Sequence, residues 1–260
     1  MKKKFGSFLA PMVSLALVLG NGAARAALTI NNPSFETPST ISDGSAQSGT
    51  SGTSGAPDTT TIPSWSAYTT GNGGGNFGGY GILNPNSVQM NQGTVAGNNV
   101  AYIHSSFNGG PNPIPTAIIF QDIGNISQSG SYTLSLLVGN RLDLTTGQPI
   151  ITLLQGSSFS TATTITATGT GSNPALANDA GNMVQWSFNY TIPSGTEIWV
   201  ELSTSGFNND VVFDNLQITA VPEPVNVALA LFGIIAVGGI AGRRWLASRK
   251  NALQPVSAGS

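Results

Sequence analysis

The chain has 260 residues, of which 8% are charged: 9 Lys or Arg, 11 Asp or Glu, one His and no Cys. That excludes a disulfide scaffold, a thiolate metal site, a cysteine nucleophile and a multi-histidine metal cluster. With 40% apolar residues, and with 33 Gly and 15 Pro below the share that marks disordered or collagen-like chains, the composition supports one globular core.

From the N-terminus, Lys2, Lys3 and Lys4 form a basic region, an apolar stretch runs from Phe5 to Leu19, and Ala24-Arg25-Ala26 places small residues where a peptidase would cut. Residues 1–26 therefore read as a secretory signal peptide, cut after Ala26 so that Ala27 begins the exported protein. Its partners are the Sec translocon and signal peptidase. Between residues 27 and 220 Arg141 is the only base against ten acids, so this body carries a formal charge of −9 that the whole-chain value of −2 hides. Such a body repels phosphate backbones, and nucleic acid is excluded as a partner.

The segment 37–61 is Ser, Thr, Gly, Pro and Ala with isolated acids, and it reads as an exposed insertion. Residues 71–81 form a second glycine-rich stretch without a phosphate-loop pattern. Elsewhere apolar residues alternate. Val184, Trp186, Phe188, Tyr190 and Ile192 occupy every second position, as do Tyr132, Leu134, Leu136 and Val138, and again Ile198, Val200 and Leu202. Residues 100–103, 117–123, 150–154 and 211–218 are further strands between Gly, Pro, Asn and Ser punctuation. The fold class is all-β, an antiparallel sandwich or barrel.

The C-terminal region begins Val221-Pro222-Glu223-Pro224 and continues through 18 uncharged residues, 225–242, to Arg243 and Arg244. At about 1.5 Å per residue a helix of this length spans about 27 Å, near the hydrocarbon thickness of a bilayer. The basic pair keeps residues 245–260 cytoplasmic and the body outside. Tripeptide, apolar helix and Arg cluster together resemble the PEP-CTERM sorting signal of Gram-negative bacteria that build an extracellular polysaccharide matrix. The resemblance implies that an exosortase-type transpeptidase recognises Pro222, Glu223 and Pro224, removes the helix and passes the body outward. The tail after the Arg pair is longer than is usual for that signal.

A second resemblance lies in the body. Asn32-Pro33-Ser34-Phe35-Glu36, Tyr132 to Arg141, and Phe213-Asp214-Asn215-Leu216 are similar in kind and order to motifs of PEP-CTERM proteins with jelly-roll bodies, which are galactose-binding-like or carbohydrate-binding-module-like. It implies a jelly-roll β-sandwich over 27–220 and a structural calcium held by Glu36 and Asp214. Asp214 shares strand parity with Leu216 and Ile218, which would turn its carboxylate inward with them. Calcium, a pair with Arg141 and backbone hydrogen bonds are the alternatives for its partner.

Glu197, Trp199 and Glu201 fall on the face opposite Ile198, Val200 and Leu202, an indole between two carboxylates, suited to a sugar ring unless Trp199 packs under a loop or the second sheet. Trp65, Tyr68, Phe77 and Tyr80, near the glycine-rich stretch, form a second candidate platform. A glycosidase pair is excluded for Glu197 and Glu201, which lie about 13 Å apart at roughly 3.3 Å per residue; pairs from different strands stay open. His104 is accompanied by no nucleophile elbow. The expectation is a non-enzymatic exported protein. It faces the periplasm from the inner membrane before sorting and the cell surface or matrix afterwards, and its body binds extracellular polysaccharide. A passive coat protein and a polysaccharide hydrolase are the alternatives.

Overall fold

A computed structural model describes residues 28–49, 56–70, 79–91, 95–105, 116–171, 176, 181–205, 209–222 and positions 232, 235, 238–240, 242 and 243. The chain divides into two compact units, Arg25–Val221 and a second made of Met1–Ala24 with Pro222–Ser260. The signal peptide, Glu223, Pro224 and Arg244 lie outside the described residues. Of the second unit, positions 232, 235, 238–240, 242 and 243 are helical. Among the described residues no helix is long and apolar enough to cross a membrane.

The body is an all-β sandwich of two antiparallel sheets, consistent with a jelly roll. The larger sheet contains β1 (Ala46–Gly49), β3 (Gly79–Leu83), β4 (Val100–Ser105), β6 (Gly130–Gly139), β10 (Ala167–Thr170), β11 (Met183–Ile192) and β13 (Asn209–Ala220), in the order β1-β3-β4-β13-β6-β11-β10. The two-residue β7 (Thr145–Thr146) adds a short parallel pairing to β13. The smaller sheet orders β2 (Ser66–Thr70), β5 (Thr116–Asn125), β12 (Glu197–Ser205), β8 (Gln148–Gln155) and β9 (Thr163–Ile165) as β2-β5-β12-β8-β9.

Each sheet turns its alternating apolar set toward the other. Ala117, Ile119 and Ile123 of β5, Ile198, Val200 and Leu202 of β12, Leu134, Leu136 and Val138 of β6, and Val211 and Phe213 of β13 join one core. Each sheet therefore presents its other parity outward. On the larger sheet this outer face forms a second apolar cluster of Leu83, Val100, Tyr102 and Val212 with Met90 and Met183.

Two expectations change here. The polar segment 37–61 supplies the edge strand β1, which pairs with β3, and Asp58 bridges to Ala67 through two backbone hydrogen bonds of 2.7 and 2.8 Å. The Asp58 carboxylate accepts from Thr60, Thr61 and Tyr80, so side-chain hydrogen bonds anchor a stretch whose composition carries almost no apolar signal.

The second change concerns Asp214. Phe213 and Leu216 both enter the core although three positions separate them, because the register of β13 against β6 shifts between Asp214 and Gln217 and Asn215 takes a left-handed backbone, φ 47°. The bulge reverses strand parity. Asp214 therefore faces away from Leu216, on the outer face of the larger sheet, and is buried there by the turn at residues 95–99.

Candidate ligand face on the smaller sheet

The outer face of the five-stranded sheet can be read from its register. One cross-strand row is Tyr68, Ile118, Ser203 and Ile150; the next is Ser66, Phe120, Glu201 and Thr152; the third is Asp122, Trp199 and Leu154. Glu201 thus stands between Phe120 and Thr152, with Trp199 and Ser203 two residues either side along its own strand.

A single 3-10 turn, Phe159–Thr161, in the β8–β9 connection lays Phe159 on this face. Its ring stacks on Phe120 with centroids 3.7 Å apart and planes 16° from parallel. Tyr68 and Trp199 meet the same ring edge-on at 6.0 and 6.1 Å. The turn is tied down by Gly156, whose carbonyl accepts from Trp199 Nε1 at 3.0 Å and whose N–H donates to the Glu197 carbonyl at 3.0 Å. Trp199 is therefore both packed beneath a loop and half-exposed on an open sheet face.

Burial pushes the Glu201 carboxyl pKa up, and its charge in turn raises that of the Tyr68 hydroxyl, which burial raises first. Glu201 makes no hydrogen bond or ion pair with another described residue. Glu197 accepts from Asn125 Nδ2 at 3.3 Å at the rim.

The other candidate platform is not a surface. Trp65 is 1% exposed and packs tilted against Phe35 with ring centroids 5.3 Å apart, while Tyr80 is 0% exposed and donates to Asp58 at 2.9 Å. No ligand ring can reach either face, because both side chains lie inside the sandwich. Tyr68 belongs instead to the Trp199 group, and Phe77 lies outside the described residues.

Glu36 and Asp214 bind the same turn. Glu36 Oε1 accepts from the N–H groups of Asn98 and Asn99 at 2.9 and 3.0 Å, and Asp214 Oδ2 accepts from Ala96 N–H at 2.6 Å. The opening and closing motifs are further joined by Leu216 N–H donating to the Pro33 carbonyl at 3.0 Å. Burial raises the Asp214 pKa to about 7, with the charge of Glu36 adding to the effect. Gly97 is required in this turn: its φ is +100°, and a Cβ would lie 2.3 Å from Glu36 Oε1. Two carboxylates held on one turn, with no basic neighbour among the described residues, suit a hard cation, although no third described acid or histidine joins them. Remaining ligands would be backbone or amide oxygens.

Arg141 does not pair with Asp214. Its guanidinium donates to both Asp143 oxygens at 2.9 and 2.6 Å and approaches Asp210 Oδ2 at 3.6 Å. Asp210 is 1% exposed, and burial raises its pKa to about 7 against the lowering effect of Arg141. His104 Nδ1 lies 3.9 Å from Asp210 Oδ2, and burial, with Arg141 adding, lowers the imidazole pKa. No described serine or cysteine approaches that pair as a nucleophile, so the geometry of a catalytic triad is absent among the described residues.

Fold and face together define a β-sandwich protein with an aromatic, carboxylate-bearing outer sheet. The chain belongs to the HpiC1-like family, described as HpiC1 cyclase, which matches residues 26–219. No curated protein matches it. Among solved structures it is similar to the enzymatically active domain of Bacteriophage CBA120 tailspike protein 4, with a TM-score of 0.41 and 10% identity, over 61% of this chain and 20% of that one. The chain thus spans about a fifth of that domain. It is also similar to the CBM22-1 xylan-binding domain of Paenibacillus barcinonensis Xyn10C, with a TM-score of 0.41 and 10% identity, covering 63% and 89% of the two chains. A third is TmCBM61 in complex with beta-1,4-galactotriose, with a TM-score of 0.38 and 13% identity, covering 75% and 100%.

Proposed function

We propose that the body is a carbohydrate-binding β-sandwich, exported by its signal peptide and sorted through Pro222, Glu223 and Pro224 by an exosortase-type enzyme to the cell surface or matrix. The observation that carries the binding half is the outer face of the smaller sheet. Phe159 and Trp199 lie part-exposed on the face that carries Glu201, packed over the buried rings of Phe120 and Tyr68. Aromatic rings cover the C–H face of a pyranose, while an unpaired carboxylate and neighbouring Ser66, Thr152 and Ser203 orient its hydroxyls. The exposed side chains Phe232, Ile235 and Ile240, at 70, 67 and 48%, support a lipid-facing helix after the sorting tripeptide.

The test is retention of the full chain on insoluble polysaccharides. Trp199→Ala and Phe159→Ala should each weaken retention by about tenfold or more, the effect of losing one well-placed aromatic contact. Unchanged retention in both variants, with thermal stability intact, would remove this face as the binding site. We also propose a structural calcium at Glu36 and Asp214: calcium should raise the melting temperature of the parent protein and not of Asp214→Ala. No shift in the parent would end that proposal.

The family description favours a second reading, a cyclase working at the same face. Burial there holds the proton on Glu201 more firmly than on an ordinary carboxyl, and the surrounding rings stabilise positive charge. Glu201 would protonate an alkene, an internal π bond would capture the cation, and loss of a proton back to Glu201 would leave a ring isomer of unchanged mass. Screening unsaturated ligands for products of equal mass and altered chromatographic retention tests it; activity that survives Glu201→Gln would exclude it.

A further inference from the structure

The carboxylate at the centre of the ligand face has no counter-charge. Glu201 is flanked by Phe120, Trp199 and Tyr68 and makes no ion pair with a described residue. Arg141, the only basic residue between 27 and 220, is already engaged with Asp143 and Asp210, on and beside the larger sheet. Asp122 and Glu197 stand on the same outer face, so the charge displayed there is negative throughout.

Two chemistries follow from this arrangement. A uronate, sulfate or pyruvyl group would meet carboxylates and no cation, so anionic polysaccharides are disfavoured. An ammonium group finds both things that hold it in water: π faces, which attract a cation through the ring quadrupole, and a carboxylate partly withdrawn from solvent. Phe159 presents a half-exposed ring and Trp199 an indole, the strongest of the aromatic partners for a cation.

Building on the carbohydrate-binding reading, we infer that the ligand is an amine-bearing sugar whose protonated amino group is held by Glu201 beside the part-exposed rings of Phe159 and Trp199, with Phe120 and Tyr68 buried behind them. This narrows the substrate class from polysaccharides at large to those containing free glucosamine-type residues.

The experiment compares three tetrasaccharides of identical backbone on the full chain in detergent: β-1,4-linked glucosamine, its fully N-acetylated form and the glucose tetramer, each followed by calorimetry at pH 6 and in Glu201→Gln. The amine should bind roughly tenfold or more tightly than either neutral tetramer. In Glu201→Gln the ratio of the affinities should collapse toward one, and raising the pH until the amine deprotonates should do the same in the parent. Equal binding of all three, or a preference that survives Glu201→Gln, overturns the inference and leaves the carbohydrate reading standing. Binding of none overturns both. The folding control is the melting temperature of each variant, and Glu201→Asp, which keeps the charge, should retain part of the preference and separate charge from packing.

Discussion

Asp210 shows how burial turns one side chain into a pH-dependent liability. Its ordinary pKa of 3.8 rises to about 7 because desolvation outweighs Arg141, with Asp143 adding to the rise. The groups around it are Arg141, Asp143, His104 and Tyr102. A group whose pKa is higher folded than unfolded adds stability that is complete below its unfolded pKa and lost as pH climbs through the folded one. Asp210 therefore favours the folded state near pH 4 and weakens it above pH 7. Asp210→Asn should raise the melting temperature at pH 8 and leave it nearly unchanged at pH 4; a variant less stable at pH 8 would show that the pairing with Arg141 outweighs desolvation.

Asp58 has the opposite sign. Burial works against its charge, but hydrogen bonds from Thr61, Thr60 and Tyr80 prevail and hold its pKa well below the carboxylate range. Its contribution is present at neutral pH and lost on acidification. Asp58→Ala leaves several donors without an acceptor and should cost roughly 1–3 kcal/mol at pH 7 in a denaturant titration, and less at pH 2.

At the level of elements, the bulge in β13 decides which face Asp214 takes. Asn215, at φ 47°, tolerates the left-handed region that a β-branched residue resists. Asn215→Val should cost about 1–2 kcal/mol while Asn215→Gly should be nearly neutral, as measured by thermal unfolding. Strand positions were legible wherever apolar residues alternate, as in β6, β11 and β12, because period two is a direct consequence of the pleat. The bulge was not: Asp214 and Leu216 keep the same parity in the sequence, and only the shifted register separates their faces. Half of the candidate ligand face was equally hidden. Trp199 and Glu201 follow from the alternation of β12, but Ile118, Ile119 and Phe120 form an unbroken apolar run in which periodicity cannot say which ring faces out. Phe159 arrives from a short turn that carries no periodic signal at all. Trp65 and Tyr80 mislead for a related reason, since glycine-rich surroundings look like surface while these two rings fill the core.

For the molecule as a whole, the sandwich closes with β13, and its last residues lead directly to Pro222-Glu223-Pro224, the tripeptide proposed for sorting, Val221 N–H donating back to the Ser131 carbonyl at 2.8 Å. If the C-terminal segment is removed during sorting, peptide mapping of the exported protein should find no peptide from 225–260. A mature form that retains those residues would instead indicate permanent anchoring.

The position of β13 has one more consequence. It is the final strand of the chain yet lies inside the larger sheet, hydrogen-bonded to β4 on one side and β6 on the other. Under the proposed export, the larger sheet could not close until that last stretch had emerged from the channel, when the uncharged segment 225–242 would be reaching the bilayer. Strand order alone would then synchronise completion of the fold with arrival of the proposed stop, and premature release would yield an open sheet with two unsatisfied edges, on β4 and β6.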